Sequence, residues 1–337
     1  MTDSQAAGYR EPVTGLQDPR VICIAGTGQN GATLLTRMLG SLPNVVAVGE
    51  LGYLWDWGVL ENRPCGCGRP FSECPFWTKV GEVGFGSWDR VDPKRIIAGR
   101  RTITSMGGRV PQPVALGLIL KPGLSRTFRE AIERYAGATV RLYQAISLVA
   151  DADVVVDSMK RPSHVFALSR QPGLDVRMLH LVRDSRGVAH SNLKWVRRQT
   201  GLRPSRKGPY RVRRPPWKAS ARWLWINLAF ELLASSGVPT VRVRYESLVA
   251  SPRLELESIA RSVGIPLSPS DLTFLREDGA RLAESHLVAG NRMRLRSGPV
   301  PLKVDEDWRT RMDPRDIRTV TTLTRPLLKR YGYLSRG

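Results

Sequence analysis

Short runs of apolar residues alternate with longer stretches of helical periodicity along most of the chain. Five runs have the composition of buried strands: VICIA at 21–25, VVAVG at 45–49, DVVVD at 153–157, VRMLHLV at 176–182 and VRVRY at 241–245. Strands that alternate with helices form a parallel sheet with helices on both faces. The pattern therefore predicts a three-layer α/β fold with a central parallel sheet, whose ligands bind at the carboxyl ends of the strands.

Three segments depart from this alternation. Residues 88–150 have helical periodicity and no strand signal, which predicts a helical insertion that covers the sheet. Residues 197–218 combine dense Arg and Lys with four prolines and predict a basic loop. The polar residues 1–19 predict a flexible tail, so that residues 20–337 form one domain.

The charge of the chain points to anionic partners. Among 337 residues, 52 Lys and Arg stand against 30 Asp and Glu, a formal net charge of +22. Such a surface attracts nucleotides, nucleic acid or an anionic membrane, and charge alone does not choose among them. No segment has the form of a signal peptide, and the most apolar stretch, 223–238, is shorter than the roughly 20 residues of a membrane span. We therefore expect a cytoplasmic protein with no membrane span.

Three of the four cysteines, Cys65, Cys67 and Cys74, lie close together in CGCGRPFSECPFW. A tetrahedral zinc site requires four ligands, usually with Cys-x-x-Cys pairs. Here the spacing is Cys-x-Cys, and no fourth ligand lies nearby in the sequence. We therefore predict a reduced, tightly packed loop and no metal.

The segment IAGTGQNGAT, residues 24–33, lies between the first predicted strand and a helical stretch. Gly26, Gly28 and Gly31 have the G-x-G-x-x-G spacing of dinucleotide-binding folds. Glu50 follows 19 residues after the last of these glycines, near the position of a ribose-binding acid. This match supports an NAD- or NADP-dependent oxidoreductase as one interpretation.

The same segment also matches a phosphate-binding P-loop from Gly26 to Thr33, in which Ala32 replaces the usual lysine. Loss of that lysine disfavours a kinase or a nucleoside triphosphatase. What remains is a cradle of backbone N–H groups at a helix N-terminus, to which Thr33 adds a hydroxyl. Such a cradle binds phosphate and sulfate equally well.

A second candidate phosphate site lies in HLVRDSRGVAHSNLKW, which begins at His180. Arg183 follows an apolar strand, and Ser191 lies eight residues later in the next predicted helix. An arginine at a strand end can make a forked contact with a phosphate, and a serine at this spacing can return to the same group. The two sites together would suit a nucleotide with two separate phosphates.

The two phosphate motifs, in this order, resemble those of the sulfotransferases that use 3′-phosphoadenosine 5′-phosphosulfate (PAPS). In that family a P-loop-like turn binds the 5′-phosphosulfate, and an Arg with a Ser eight residues later binds the 3′-phosphate. VRYESLVASPRLELESIARSVGI is similar to the element whose tyrosine lies beside the nucleotide. HLVAGNRMRLRSG is similar to a basic loop that closes over the nucleotide in bacterial members. The resemblance implies a P-loop NTPase-like sulfotransferase fold.

The resemblance also implies a set of nucleotide-binding residues. They are Gln29, Asn30, Gly31, Ala32, Thr33, Leu34, Arg183, Ser191, Tyr245, Asn291 and Arg292.

Three residues are candidates for catalysis. The family usually has Lys or Arg at the position of Gln29, where the charge stabilises the leaving oxygen, and a neutral amide cannot offset that charge. Lys160 lies in VVVDSMKRP, which resembles the Asp-Ser-x-Lys turn of bacterial relatives, and we predict that it supplies the missing charge. Glu50 matches the glutamate of tyrosyl-protein and several bacterial sulfotransferases and would take the proton of the acceptor hydroxyl.

The sequence thus predicts a PAPS-dependent sulfotransferase whose acceptor is a hydroxyl of a carbohydrate, a lipid or a natural product. PAPS is the expected co-substrate, and neither a metal nor nucleic acid is expected. Two interpretations remain beside it. One is the NAD(P)-dependent oxidoreductase, and the other is a non-catalytic protein that binds nucleotides or nucleic acid.

Overall fold

The structure is a computed structural model that describes residues 18–105, 126–193 and 214–335. The strands are β1 (Arg20–Ala25), β2 (Val45–Gly49), β3 (Val154–Asp157), β4 (Val176–Val182), β5 (Thr240–Arg244), β6 (Leu275–Arg276), β7 (Gly279–Leu282) and β8 (Gly298–Val300). The α-helices are α1 (Ala32–Leu39), α2 (Pro75–Phe85), α3 (Pro93–Ser105), α4 (Arg126–Ala150), α5 (Pro162–Ser169), α6 (Ser185–Leu193), α7 (Pro216–Ser235), α8 (Tyr245–Ala250), α9 (Pro252–Val263), α10 (Trp308–Arg311) and α11 (Pro314–Arg330). None of the helices within these ranges is long and apolar enough to cross a membrane.

The five strands expected from the sequence are all present and form one parallel sheet in the order β2-β3-β1-β4-β5. Successive side chains of β1 enter two different cores. Val21, Cys23 and Ala25 pack into one apolar cluster, and Ile22 and Ile24 pack into another on the opposite face. Because alternate residues of a strand point to opposite faces, helices must cover both sides of the sheet. The three-layer α/β fold is thereby confirmed.

The strand order bears on the oxidoreductase interpretation. In dinucleotide-binding folds the second strand lies beside the first, which brings the acid at its end to the ribose. Here β1 lies between β3 and β4, and β3 separates it from β2. The end of β2 is therefore two strand spacings, about 10 Å, from the end of β1. Glu50 consequently does not lie where a ribose-binding acid would, and the interpretation loses its main support.

The segments outside the sheet agree in part with expectation. In the predicted insertion 88–150, helices α3 and α4 account for most of the described residues, and 106–125 lie outside the described ranges. Residues 1–17 of the predicted tail and residues 197–213 of the predicted basic loop also lie outside the described ranges. Residues 216–218, predicted as loop, form the first turn of α7 instead. A proline opens this helix, and the first turn is where a helix tolerates proline.

Candidate active site

The carboxyl ends of all five parallel strands carry residues that the sequence analysis selected. The glycine-rich loop follows β1, Glu50 follows β2, and Lys160 lies three residues beyond β3. Arg183 directly follows β4, and Tyr245 directly follows β5. This edge of a parallel sheet is where α/β proteins bind their ligands. The structure therefore brings these residues to one candidate site.

Asn30 holds the loop after β1 against the sheet. Its side-chain nitrogen donates to the Leu181 carbonyl of β4 at 2.8 Å, and its side-chain oxygen accepts the Ala32 N–H at 3.2 Å. Only 1% of Asn30 is exposed. The Asn30 side chain and the Ala32 N–H are thus occupied in ordering the loop, although the sequence suggested both residues as nucleotide contacts.

Other N–H groups of the loop are not engaged by the part of the chain that the structure describes. The backbone N–H groups of Gln29, Gly31 and Thr33 have no hydrogen-bond acceptor within the described ranges. The Leu34 N–H donates to the Gly31 carbonyl at 2.9 Å, and the Leu34 side chain is buried in the core. Three unpaired N–H groups at the start of α1 are suited to bind the oxygens of one anion.

Gly31 and Tyr245 lie in direct contact. Gly31 has a φ of +88°, and a Cβ at this position would overlap the ring of Tyr245. The ring also lies against Arg183, whose guanidinium carbon is 4.6 Å from the ring centroid. Burial raises the pKa of the Tyr245 phenol, so the ring stays neutral beside the loop. Tyr245 therefore contacts both the glycine-rich loop and the arginine.

Replacing Gly31 by Ala should abolish nucleotide binding, because the added Cβ is strained at positive φ and displaces the Tyr245 ring. Gly28 provides the matched control, since a Cβ there would meet no atom within 4 Å. Calorimetric titration with adenosine 3′,5′-bisphosphate would compare the two variants. Equal affinities for Gly31→Ala and Gly28→Ala would contradict this role of Gly31.

Arg183 connects the loop to the C-terminal part of the chain. It is 6% exposed, and its Nη1 donates to the Gln29 carbonyl at 2.9 Å. Its Nη2 lies 3.0 Å from a carboxylate oxygen of Asp305. A carboxylate in this position shows that an oxyanion fits against the guanidinium. Asp305 was not predicted from the sequence, where its signal is an acidic run, DEDW, in a basic chain.

Helix α6 brings Ser191 to the same region as Arg183. A Cβ at Gly187 would lie 3.4 Å from the Arg183 Nε, so the arginine side chain runs across this glycine. Ser191 lies four residues after Gly187, one turn further along the same face of the helix. Ser191 therefore lies on the helix face along which the Arg183 side chain runs.

Glu50 and Lys160 form an ion pair. The Lys160 Nζ lies 2.6 Å from a carboxylate oxygen of Glu50 and also donates to the Ser158 carbonyl at 3.1 Å. The side chains are largely withdrawn from water, with 16% of Lys160 and 20% of Glu50 exposed. The two residues proposed for charge stabilisation and for proton transfer are thus in direct contact.

Asp157 positions this pair, and sequence analysis did not select it. The carboxylate is fully buried at the end of β3. One of its oxygens accepts the N–H of Leu51 at 3.2 Å and the N–H of Met159 at 2.7 Å. These residues are the direct neighbours of Glu50 and Lys160 in sequence. Its signal in the sequence was a carboxylate that ends an otherwise apolar strand.

A short segment connects the ion pair to the loop. The Glu50 N–H donates to the Ala289 carbonyl at 3.4 Å, and the Asn291 N–H lies 3.5 Å from the Thr33 Oγ1. Because two residues span at most about 7 Å, this segment keeps the Glu50 backbone close to the Thr33 hydroxyl. The Asn291 side chain caps the turn that follows it, and Arg292 is exposed.

The chain matches no protein-family profile and no curated protein sequence. Among solved structures, it is similar to the sulfotransferase domain of the Synechococcus olefin synthase, with 17% identity, 93% of this chain and 97% of that chain covered, and a TM-score of 0.42. It is also similar to the sulfotransferase domain of the curacin biosynthetic pathway, with 17% identity, coverages of 91% and 97%, and a TM-score of 0.45.

A third similar structure is a sulfotransferase from Mycobacterium avium, with 12% identity, 97% of this chain and 79% of that chain covered, and a TM-score of 0.45. All three are sulfotransferases, the class that the sequence motifs resemble. Identities and TM-scores this low do not by themselves assign an activity.

Proposed function

We propose that the protein is a PAPS-dependent sulfotransferase that transfers a sulfuryl group to an acceptor hydroxyl. The observation that carries the proposal is the placement of two anion-binding groups and a carboxylate–ammonium pair at one edge of the sheet. A protein that only binds a nucleotide has no need of such a pair beside the anion cradle. Perturbed or paired ionisable groups in such a location are typical of active sites.

The donor would be held at two separate places. The N–H groups of Gln29, Gly31 and Thr33 would bind the 5′-phosphosulfate, and Arg183 with Ser191 would bind the 3′-phosphate. The contact of Arg183 with the Gln29 carbonyl ties the two places together at 2.9 Å. Arginine suits the second place because its planar fork matches two phosphate oxygens at once.

The reaction would be an in-line displacement at sulfur. The acceptor oxygen forms a bond to sulfur, the bond between sulfur and the bridging oxygen breaks, and its electrons remain on adenosine 3′,5′-bisphosphate. Glu50 takes the proton of the acceptor hydroxyl, because an alcohol is a poor nucleophile while that proton remains. The acceptor is a hydroxyl of a carbohydrate, a lipid or a natural product.

Lys160 is placed to stabilise the transferring group. An ammonium has three N–H donors, and two of them are engaged by Glu50 and the Ser158 carbonyl. The third can donate to an oxygen of the sulfuryl group. Lys160 would thereby supply positive charge that the neutral side chain of Gln29 cannot supply.

Thermal melting tests the proposed donor site. Adenosine 3′,5′-bisphosphate should raise the melting temperature, because a ligand at a hundredfold excess over its Kd stabilises the folded state by about 2.7 kcal/mol. Adenosine 5′-monophosphate, which lacks the 3′-phosphate, is the matched control and should stabilise much less. Stabilisation by NAD or NADP instead would support the oxidoreductase interpretation.

Labelled donor and a panel of hydroxyl acceptors then separate an enzyme from a binding protein. Transfer of label to an acceptor supports the proposal. Stabilisation by adenosine 3′,5′-bisphosphate with no transfer to any acceptor would favour the non-catalytic interpretation.

A further inference from the structure

Four potential metal ligands converge outside the proposed active site. They are Cys65, Cys67, Cys74 and His286, and their ligand atoms all lie within 4.8 Å of one another. The Cys74 Sγ lies 3.6 Å from the Cys65 Sγ and 3.7 Å from the Cys67 Sγ. The His286 Nδ1 lies 3.3 Å from the Cys74 Sγ and 3.7 Å from the Cys65 Sγ.

These separations match the edges of a zinc coordination tetrahedron. Zinc binds sulfur at about 2.3 Å and a histidine nitrogen at about 2.0–2.1 Å. Tetrahedral angles then place two sulfurs about 3.8 Å apart, and a sulfur and the nitrogen about 3.6 Å apart. Four of the six distances between the ligand atoms are 3.3–3.7 Å, close to these values, and the other two are at most 4.8 Å. The four atoms therefore enclose a space of the size that one zinc ion requires.

The backbone around the cysteines forms a preorganised site. Cys65 and Cys67 lie in a tight turn, in which the Cys65 N–H donates to the Arg69 carbonyl at 2.8 Å and Gly68 adopts a φ of +86°. Cys74 directly precedes α2. The turn and the start of this helix thus present three sulfurs to one point, while the distances between those sulfurs are far from the roughly 2.05 Å of a disulfide.

His286 is fixed independently of the cysteines. Its carbonyl accepts the indole N–H of Trp77 at 3.0 Å, and its ring stacks on Phe76 with centroids 4.8 Å apart. Both aromatic residues lie in the first turn of α2. They hold the imidazole in the orientation that turns its Nδ1 to the sulfurs, as neighbouring groups commonly do for a metal-binding histidine.

We infer that Cys65, Cys67, Cys74 and His286 bind a zinc ion. Three thiolates and one imidazole form a complete structural set of four ligands and leave no position for a substrate. Three thiolates around a divalent ion leave one negative charge. Arg294 lies close by, buried, and donates to the carbonyls of Pro64 and Leu287, which adjoin the ligands in sequence.

The ion would support the segment that holds Glu50. Directly after His286, the Val288 N–H donates to the Val48 carbonyl at 3.0 Å, and the Ala289 carbonyl accepts the Glu50 N–H. Zinc would therefore fasten this segment to the cysteine loop at His286, five residues before the contact of Asn291 with Thr33. The site is distinct from the proposed reaction and needs no sulfuryl transfer for its test.

Metal analysis of the purified full-length chain tests the inference. Zinc should be present in equimolar amount in the unaltered protein, and it should be lost from the Cys74→Ser and His286→Ala variants. His286→Cys should retain it, because a fourth thiolate can replace the imidazole. Cys23→Ala is the matched control: it removes a buried thiol from β1, away from the cluster, and should retain zinc.

A second measurement uses only the unaltered protein, so it does not depend on whether the variants fold. Unaltered protein that has been stripped with a chelator and titrated with Co²⁺ should develop the thiolate-to-cobalt charge-transfer and visible bands of tetrahedral cobalt, and zinc should abolish them. Metal-free protein without these bands would overturn the inference. A disulfide among the three cysteines in freshly reduced and repurified protein, or equimolar zinc in Cys74→Ser, would also overturn it.

Discussion

A Glu50→Gln variant should transfer sulfuryl groups about 10²–10⁴-fold more slowly than the unaltered protein, since this is the usual contribution of a general base. Glutamine has the shape of glutamate and can still hydrogen-bond to Lys160, but its amide cannot accept the acceptor's proton. The loss should fall on kcat. Initial rates with labelled PAPS would measure kcat, and calorimetric titration with adenosine 3′,5′-bisphosphate would measure the nucleotide affinity separately.

The control for this change is Glu277→Gln, which makes the same chemical change at an exposed turn between β6 and β7. It should leave both kcat and nucleotide affinity unchanged. A Glu50→Gln variant with unaltered kcat would remove Glu50 from the proposed mechanism. A variant that has lost nucleotide binding along with its rate would point to a role in binding instead.

An Arg183→Ala variant should bind adenosine 3′,5′-bisphosphate about 10²-fold more weakly. A forked pair of charge-assisted hydrogen bonds to a phosphate contributes about 3 kcal/mol, and each 1.4 kcal/mol corresponds to a tenfold change in Kd. Arg183→Lys should recover only part of the affinity, because an ammonium keeps the charge and loses the fork. Calorimetric titration would measure all three dissociation constants.

Arg177→Ala provides the matched control, because Arg177 lies at the start of β4, the strand whose other end Arg183 directly follows. It pairs with Asp175 at 3.1 Å, far from the carboxyl edge of the sheet. Its removal should leave the dissociation constant unchanged. An Arg183→Ala variant that binds adenosine 3′,5′-bisphosphate as tightly as Arg177→Ala would contradict the assignment of Arg183 to the 3′-phosphate.

The strands of the sheet could be predicted from the sequence because their physical cause is local. A strand covered on both faces consists almost entirely of apolar residues, and runs such as VICIA are hard to place elsewhere in a soluble fold. All five bounds are correct to within one residue. The order of the strands was not predictable in the same way, because pairing depends on contacts between distant segments.

Site residues that directly follow a strand could be predicted from the sequence. Contacts between residues that lie far apart in the sequence could not. Glu50 and Lys160 were each selected, but their contact at 2.6 Å joins residues that lie 110 positions apart. Asp157 stands out locally as a carboxylate at the end of an apolar strand, but its contact with the Leu51 N–H, 106 positions away, is not visible in any local pattern. His286 lies 212 positions from Cys74, so the sequence indicated the three cysteines as a group and gave no sign that this histidine joins them.

The position of β3 between β1 and β2 has a consequence for how the protein could diversify. Glu50 and Arg183 follow strands that are three spacings apart, or about 14 Å. At such distances the energetic effects of substitutions are usually independent of one another. Evolution or protein engineering could therefore reshape the surroundings of Glu50 for a new acceptor and leave the affinity for the donor nucleotide as it is.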